Sequence, residues 1–388
     1  MVNTRHVIEV FLRFLALGLM SFGGPAAHIG YFQHVFVQRL QWLDEQAYAR
    51  LVALSQFLPG PGSSQIGFAI GLKRAGLFGA LAAFIGFTLP SFFLLYLLAV
   101  VSPEYAQEQW FAGAVHGLKL LAVVVVADAC INMYRSFCRD AESATIAVIV
   151  AAVLLIHPSL FVQLSLLALA ASIGVFLGKG SAREAESSQG LSWFPLVLFA
   201  LGFIGLPVIA LQSEWLGLIN AFFQSGSLVF GGGHVVLPLL QQSVGDLVSS
   251  ERFLMGYAAA QGVPGPMFTL SAFLGAEMMP ASAFWGALLA TLAIFLPGFL
   301  LLLGLINAWE GLAAKPRVAG AIWGVNAAVV GLLLSALYQP VFSTSVNSTA
   351  DMAVVLLGLF VLHRLKLPIM ALVACFALFG LLSGLIFQ

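Results

Sequence analysis

The chain has 388 residues, 61% of them hydrophobic and 8% charged, a mean hydropathy of +1.02, and 16 basic residues against 16 acidic ones. A soluble protein carries about 25% charged residues, so this composition excludes a soluble domain, and zero net charge leaves no electrostatic footprint for nucleic acid. Cys130, Cys138 and Cys375 give neither a disulfide framework nor a metal-ligand spacing.

The apolar stretches are helix-sized and do not alternate, which predicts an all-α polytopic membrane protein and not a barrel. In chain order the segments are 7–37, 48–72, 76–101, 111–133, 143–156, 159–178, 193–211, 216–241, 253–278, 281–307, 319–338, 350–362 and 367–387, about thirteen transmembrane segments. The first carries Glu9 and Arg13 and runs on without a cleavage site, unlike a signal peptide. Between the sixth and seventh lies the one plainly polar run, Gly178 to Gly190, a linker.

Loop charges sort by parity. The N-terminal side collects Arg5, Lys73, Arg74, Arg135, Arg139, Lys179, Arg183, Arg252, Lys315, Arg317, Arg364 and Lys366; the other side has Arg39 and Arg50 beside Glu104 and Glu108. The positive-inside rule then places the N-terminus in the cytoplasm and the C-terminus outside. If segments one and two were both re-entrant hairpins, the later parity would be unchanged, and the same holds for segments eight and nine.

The chain is internally duplicated. Phe22-Gly23-Gly24 lies over Phe230-Gly231-Gly232, "QFLPGP" at Gln56–Pro61 over "QGVPGP" at Gln261–Pro266, Pro90 over Pro297, Ala112–Lys119 over Ala319–Asn326, and His157 over His363. Residues 1–178 form one six-segment repeat and 213–388 the other; 179–212 is a cytoplasmic linker plus an unpaired helix. An odd linking helix makes the two repeats inverted in topology, and matched Gly/Pro interruptions in inverted repeats point to a transporter with its site between them.

The breaks themselves suggest an anion. With Gly24 as cap and Pro25 as first helical residue, the next amides are those of Ala26, Ala27 and His28. Gly60 and Pro61 repeat the arrangement ahead of Gly62, Ser63 and Ser64. The second half offers Gly231, Gly232, Gly233 and His234, then Gly265, Pro266, Met267, Phe268 and Thr269. Four helix N-termini inside a bilayer are four sites of partial positive charge with unpaired donors. Single glycines and prolines also serve kinks and packing; two break types, each in both halves, favour the ligand reading.

Few charges lie within the segments. Lys119 falls about 13 Å into the fourth, where a lysine is expensive, and His116 shares its helix face. They read as counter-charges to an anion or as partners in an internal ion pair. Arg13 either contacts the anion or pairs with Glu9 and snorkels. His28 and His34 suit proton transfer or helix packing equally. Gln56 and Gln261, ahead of the two PGP turns, would bond oxyanion or freed backbone. No cofactor or metal is expected, and no nucleophile with a base at helical spacing suggests an enzyme.

"FGGPAAHIGYF", "WLDE", "LSQFLPGPGSSQ", "GFTLPS", "FGGGHVVLPLL" and "QGVPGP" together resemble the chromate ion transporter family in its long two-domain form, over nearly the whole chain. The resemblance implies a multi-pass protein of the plasma (inner) membrane that exports chromate and confers chromate resistance, with sulfate the competing oxyanion. Partners would then be chromate, the lipid bilayer and a second copy in a homodimer. It carries the family's motif positions onto Gly23, Gly24, Pro25 and His28, Pro59, Gly60 and Pro61, Gly231, Gly232 and Gly233, and Pro264, Gly265 and Pro266. An oxyanion channel is the nearest alternative; a membrane-embedded enzyme is the remote one.

Overall fold

The structure, a computed structural model, describes residues 4–22, 24–105, 108–179, 190–230, 236–245, 247–313, 315–365 and 367–386. Among them all regular structure is helical, and five helices are long and apolar enough to cross a membrane.

The first half contains α1 (Thr4–Met20), α2 (Gly24–Phe32, continued as a π-helix to Arg39), α3 (Glu45–Phe57), α4 (Gly62–Val101), α5 (Gln109–Phe137), α6 (Ala141–Ile156) and α7 (Leu160–Phe176). α4 is two arms, because Ala75 and Gly76 leave helical geometry; Gly76 has φ +65°. The unpaired α8 (Trp193–Ile209) follows. The second half contains α9 (Glu214–Leu228), α10 (Val236–Val244), α11 (Ser250–Gly262), α12 (Leu270–Met278), α13 (Ala283–Leu305), α14 (Trp309–Ala313), α15 (Pro316–Ala336), α16 (Ser343–Ser345), α17 (Thr349–Phe360) and α18 (Ile369–Ile386). The order repeats: α3 reappears as α11 205 residues later, from Glu45–Phe57 to Ser250–Gly262, and α5 begins at Gln109 where α15 begins at Pro316. Local signals set the ends. Asp44 caps α3 through the Ala47 amide, and capping boxes start α6 at Asp140/Ser143 and α17 at Ser348/Asp351.

Each of the two broken segments that open a repeat folds back on itself. In the first half, Phe14 of α1 stacks on Phe36 beyond α2 at 4.8 Å, so α1 and α2 run antiparallel. Gly62 faces Ser55, and Arg50 and Leu51 lie beside Leu72 and Lys73, so α3 and the short arm of α4 run antiparallel too. The open ends of both hairpins gather at one place. There Arg74 bonds Glu9 at 2.9 Å and its guanidinium lies 4.8 Å from the Trp42 ring. In the second half, Ser225 of α9 meets Ser243 of α10 at 3.2 Å, Gly256 of α11 packs on Phe273 of α12, and Arg252 pairs with Glu277.

The two pairs of hairpins open at opposite ends of the long arm of α4. That arm starts beside Arg74 and is about 37 Å long at 1.5 Å per residue. At its far end the Ala99 carbonyl accepts from Arg252. α13 runs the other way, and ends where Ile306 and Asn307 sit by Arg50 and Lys73. Phe84 against Phe295 at 5.1 Å and Phe92 against Phe284 at 6.2 Å register this antiparallel crossing.

The outer helices are exchanged between halves. α5 packs against α17 and α18, whereas α15 packs against α6 and α7. Both seams are made of glycine at four-residue spacing. Gly113 and Gly117 lie against Gly380 and Phe376, and Gly320 and Gly324 against Gly174 and Ala170. Small residues let backbones approach where no hydrophobic gain drives helices together. A Cβ at Gly117 or Gly324 would strike the carbonyl oxygen of Phe376 or Ala170, whereas one at Gly205 meets nothing within 4 Å. Gly117→Val and Gly324→Val should therefore each cost about 1–3 kcal/mol from overpacking. Thermal unfolding in detergent should show both melting several degrees early, with Gly205→Val close to the parent.

Candidate functional site

A hairpin tip in a bilayer must find partners for the backbone groups it frees, because no water is there to take them. Here each repeat satisfies the other. The Gly60 amide donates to the Val229 carbonyl at 2.7 Å, and the Gly265 amide donates to the Ser21 carbonyl at 2.9 Å. Ser21 and Val229 close α1 and α9, while Gly60 and Gly265 centre the two PGP turns. The described residues at the breaks, Ser21, Gly60, Val229 and Gly265, thus pair between the repeats.

The turns need glycine. Gly60 has φ +115° and Gly265 φ +101°, beyond what L-residues adopt. Space for a side chain is tight as well. A Cβ at Gly60 would lie 3.1 Å from Gln65 Nε2 and from the Gly298 Cα, and one at Gly265 would lie 2.9 Å from Ser91 Oγ. Gly24 differs: its φ is +74° and nothing lies within 4 Å of a Cβ there.

His28 joins the first-half breaks. It is fully buried, with Nε2 3.2 Å from the Ser21 carbonyl and Nδ1 3.2 Å from Ser63 Oγ. A carbonyl only accepts, so Nε2 carries the proton; in the neutral ring Nδ1 then accepts from the Ser63 hydroxyl. Ser63 stands in the first turn of α4, whose opening amides, those of Gly62, Ser63 and Ser64, have no carbonyl four residues back within the helix.

Gln65 is the residue that sequence reasoning missed. It is fully buried, and its Nε2 donates to Pro59 O at 2.8 Å and to Gly298 O at 3.2 Å. Two facing carbonyls fix which end of the carboxamide is nitrogen. The only signal was a lone glutamine at the start of an apolar run. Its Oε1 is buried without a protein partner, as are Ser21 Oγ, Ser64 Oγ and Thr88 Oγ1. In the second half Thr269 Oγ1 donates to the Pro266 carbonyl at 2.6 Å, and Gln261 Nε2 lies 2.7 Å from the Met267 thioether. Pro59 and Pro61, and Pro264 and Pro266, flank the two glycines.

Other candidates fall elsewhere. Gln56 is exposed on α3, and His34 is exposed and bonded to Gln38 at 3.0 Å. Glu9 is bonded to Arg74, not to Arg13, which is exposed on α1. Lys119 is buried and lies 3.8 Å from Glu251 at the start of α11; His116 bonds Asp351 at the start of α17 at 2.8 Å. Both tie α5 to the opposite half near the second pair of hairpin openings. Pro25 and Ala26 occupy the first turn of α2. Gly23, Gly231, Gly232, Gly233 and His234 lie outside the described residues.

Hairpins meeting tip to tip from opposite ends of a helical membrane bundle define a class, that of membrane transporters with discontinuous helices. Within it, the chain belongs to the chromate transporter family, which it matches over residues 8–176 and again over 216–381. It is 28% identical over 361 residues to a probable chromate transport protein of Synechococcus elongatus, covering 90% of this chain and 87% of that one. It is 26% identical over 390 residues to the chromate transport protein of Pseudomonas aeruginosa, covering 98% and 92%. An uncharacterized transporter, MJ0718 of Methanocaldococcus jannaschii, is 24% identical over 348 residues, covering 86% and 84%. No solved structure matches.

The two kinds of glycine should separate in stability measurements. Gly60→Ala and Gly265→Ala meet both a forbidden φ and an occupied space, and should cost about 1–3 kcal/mol from backbone strain, with the clash added. Gly24→Ala meets open space and a left-handed φ costing about 1–2 kcal/mol. Unfolding of the purified proteins should rank Gly24→Ala nearest to the parent.

Proposed function

We propose that this protein is a secondary active transporter that carries chromate out of the cell across the plasma membrane, conferring resistance, with sulfate competing. The oxyanion binds where the four breaks meet, held by the first amides of α2 and α4 and by the Ser64 hydroxyl. The observation that carries this reading is the reciprocal tip bonding, Gly60 to Val229 and Gly265 to Ser21, between hairpins that enter from opposite ends. A site with one repeat on either side is the arrangement alternating access requires.

Re-entrant hairpins also give a consistent topology. The long arm of α4, then α5, α6, α7, α8, α13, α15, α17 and α18, make nine crossings, with 1–178 and 213–388 as inverted repeats joined through 179–212. The N-terminal face then carries Arg5, Arg39, Arg50, Lys73, Arg74, Arg135, Arg139, Lys179, Lys315, Arg317 and Arg364. Arg39 and Arg50, exceptions when every segment is a span, join the majority. Among the described residues outside the crossing helices, Arg252 is the one basic residue on the opposite face, paired with Glu277. This bias supports a cytoplasmic N-terminus and an external C-terminus.

Cysteine labelling distinguishes the two topologies. Gln41→Cys, between the first two hairpins, should react from the cytoplasm; reaction from outside would restore thirteen crossings. A reporter after Gln388 should be active outside in either case. For the activity, inverted membrane vesicles should take up chromate saturably and lose the uptake when a protonophore collapses the gradient. Uptake confined to right-side-out vesicles would reverse the direction, and flux that never saturates would make the protein a channel.

A further inference from the structure

Where α15 ends, at the face that the proposed topology puts outside, lies a cavity of about 310 Å³. It exists because the chain breaks there. Gln339 leaves helical geometry at φ −128° and ψ 113°, and Pro340 has no amide proton to carry the helix on. Beyond the break, the Ser343 and Thr344 hydroxyls donate to the Pro340 carbonyl at 3.3 and 2.8 Å. The facing wall is α10, lining the cavity from Pro238 in its first turn to Gln241 and Gln242. Together with Gln339, Ser250 and Ser335, these glutamines line it with neutral carboxamides and hydroxyls. At about 30 Å³ per water, the volume takes a tetrahedral oxyanion with part of its hydration shell. Beside Ser250, the Glu251 carboxylate is met by Lys119 at 3.8 Å.

The other end of the molecule shows the same place differently filled. The repeat carries Ser335 onto Asp128 and Gln339 onto Asn132, at the end of α5. There one Asp128 oxygen accepts from Asn132 Nδ2 at 2.8 Å and the other from His363 Nδ1 at 3.1 Å. His363 comes from the second half, and Arg135 lies 3.4 Å from its Nε2. Side chains of both halves thus cross the cytoplasmic counterpart, drawn together by one carboxylate. At the cavity a serine stands in place of that carboxylate. His157, which the repeat matches to His363, is exposed at the end of α6.

We infer that the cavity between α10 and the end of α15 is an external release site, which a tetrahedral oxyanion occupies after leaving the central breaks. As a step in transport it rests on the function proposed above; as an anion site it stands by itself. Carboxamide and hydroxyl protons match the oxygens of an oxyanion, and Ser335 offers a donor where its counterpart would repel. Neutral donors hold an anion without trapping it, which is what a point of departure requires.

The test reads binding without requiring transport. Ser343→Cys is the reporter, since that hydroxyl donates to the Pro340 carbonyl and is not among the donors invoked. Cys375→Ser removes the exposed native thiol, Cys130 and Cys138 being buried. A membrane-impermeant maleimide should label the reporter in right-side-out vesicles and not in inverted ones; labelling from the cytoplasmic side would overturn the external release site. In phosphatidylcholine nanodiscs, sulfate and molybdate serve as probes, since chromate oxidises thiols. Either dianion should slow labelling several-fold relative to chloride at equal ionic strength, and sorbitol should not. Ser335→Asp, which installs the counterpart's carboxylate, should abolish the protection, and the milder Ser335→Ala should weaken it. Protection unchanged in both variants would place the anion elsewhere and sink the proposal. Absence of protection, or protection by sorbitol alone, would overturn it even if vesicles transport chromate. Protection in a protein that moves no chromate would leave the anion site standing and remove the transport reading.

Discussion

Two backbone hydrogen bonds, from Gly60 to Val229 and from Gly265 to Ser21, are the constraint around which the rest is arranged. A helix that stops inside a bilayer strands amides and carbonyls, and an unsatisfied group there costs several kcal/mol. Neither repeat supplies enough partners at its own tips; the break in the other repeat does. Once that exchange is fixed, much follows. The hairpins must enter from opposite ends, the long arm of α4 and α13 must cross antiparallel, and the residue facing each turn must be small, which Gly298 and Ser91 are.

The scaffold is nearly symmetric while its chemistry is not. Gln65 bridges the first turn to Gly298, but its counterpart is Leu270. Lys119 and His116 reach Glu251 and Asp351, whereas Asn326 and Trp323 stand at the matching positions of α15. His28 ties Ser21 to Ser63 through a ring whose tautomer the Ser21 carbonyl dictates. Were that ring to gain a proton, Nδ1 would become a donor and the Ser63 hydroxyl oxygen would accept from it, freeing its own proton for another acceptor. In the function proposed above, the two-fold frame serves the alternation of access and the departures from it serve selectivity.

Much of this was legible in the residues. The offset near 207, the two break types and the PGP turns mark the helix ends to within a few residues, because glycine and proline act locally. What could not be read is whether a broken apolar run crosses or folds back. Hydropathy is the same either way, and paired hairpins leave downstream parity intact; only Arg39 and Arg50, on the sparse side of the count, hinted at the answer. Glu9 has Arg13 within one helical turn, yet bonds Arg74, brought to it by the hairpin at Ala75–Gly76. Gln65 looked like one polar residue among apolar neighbours, since its carbonyl partner lies 233 positions away. The matched glycines of α5 and α15 were visible, but not that each seam closes on the opposite half.

That exchange of α5 and α15 bears on how the chain is made. When the ribosome has delivered α6 and α7, the helix that will cover them, α15, has not been synthesised, and α5 has neither α17 nor α18. Until then the glycine seams of the first half lack their final partners. Completion of the fold therefore waits on the second half, whose α15 covers α6 and α7 and whose α17 and α18 cover α5. A nascent chain halted before α15 is an orphan by construction, with its seams open to lipid, to a neighbouring chain or to the membrane's quality-control proteases.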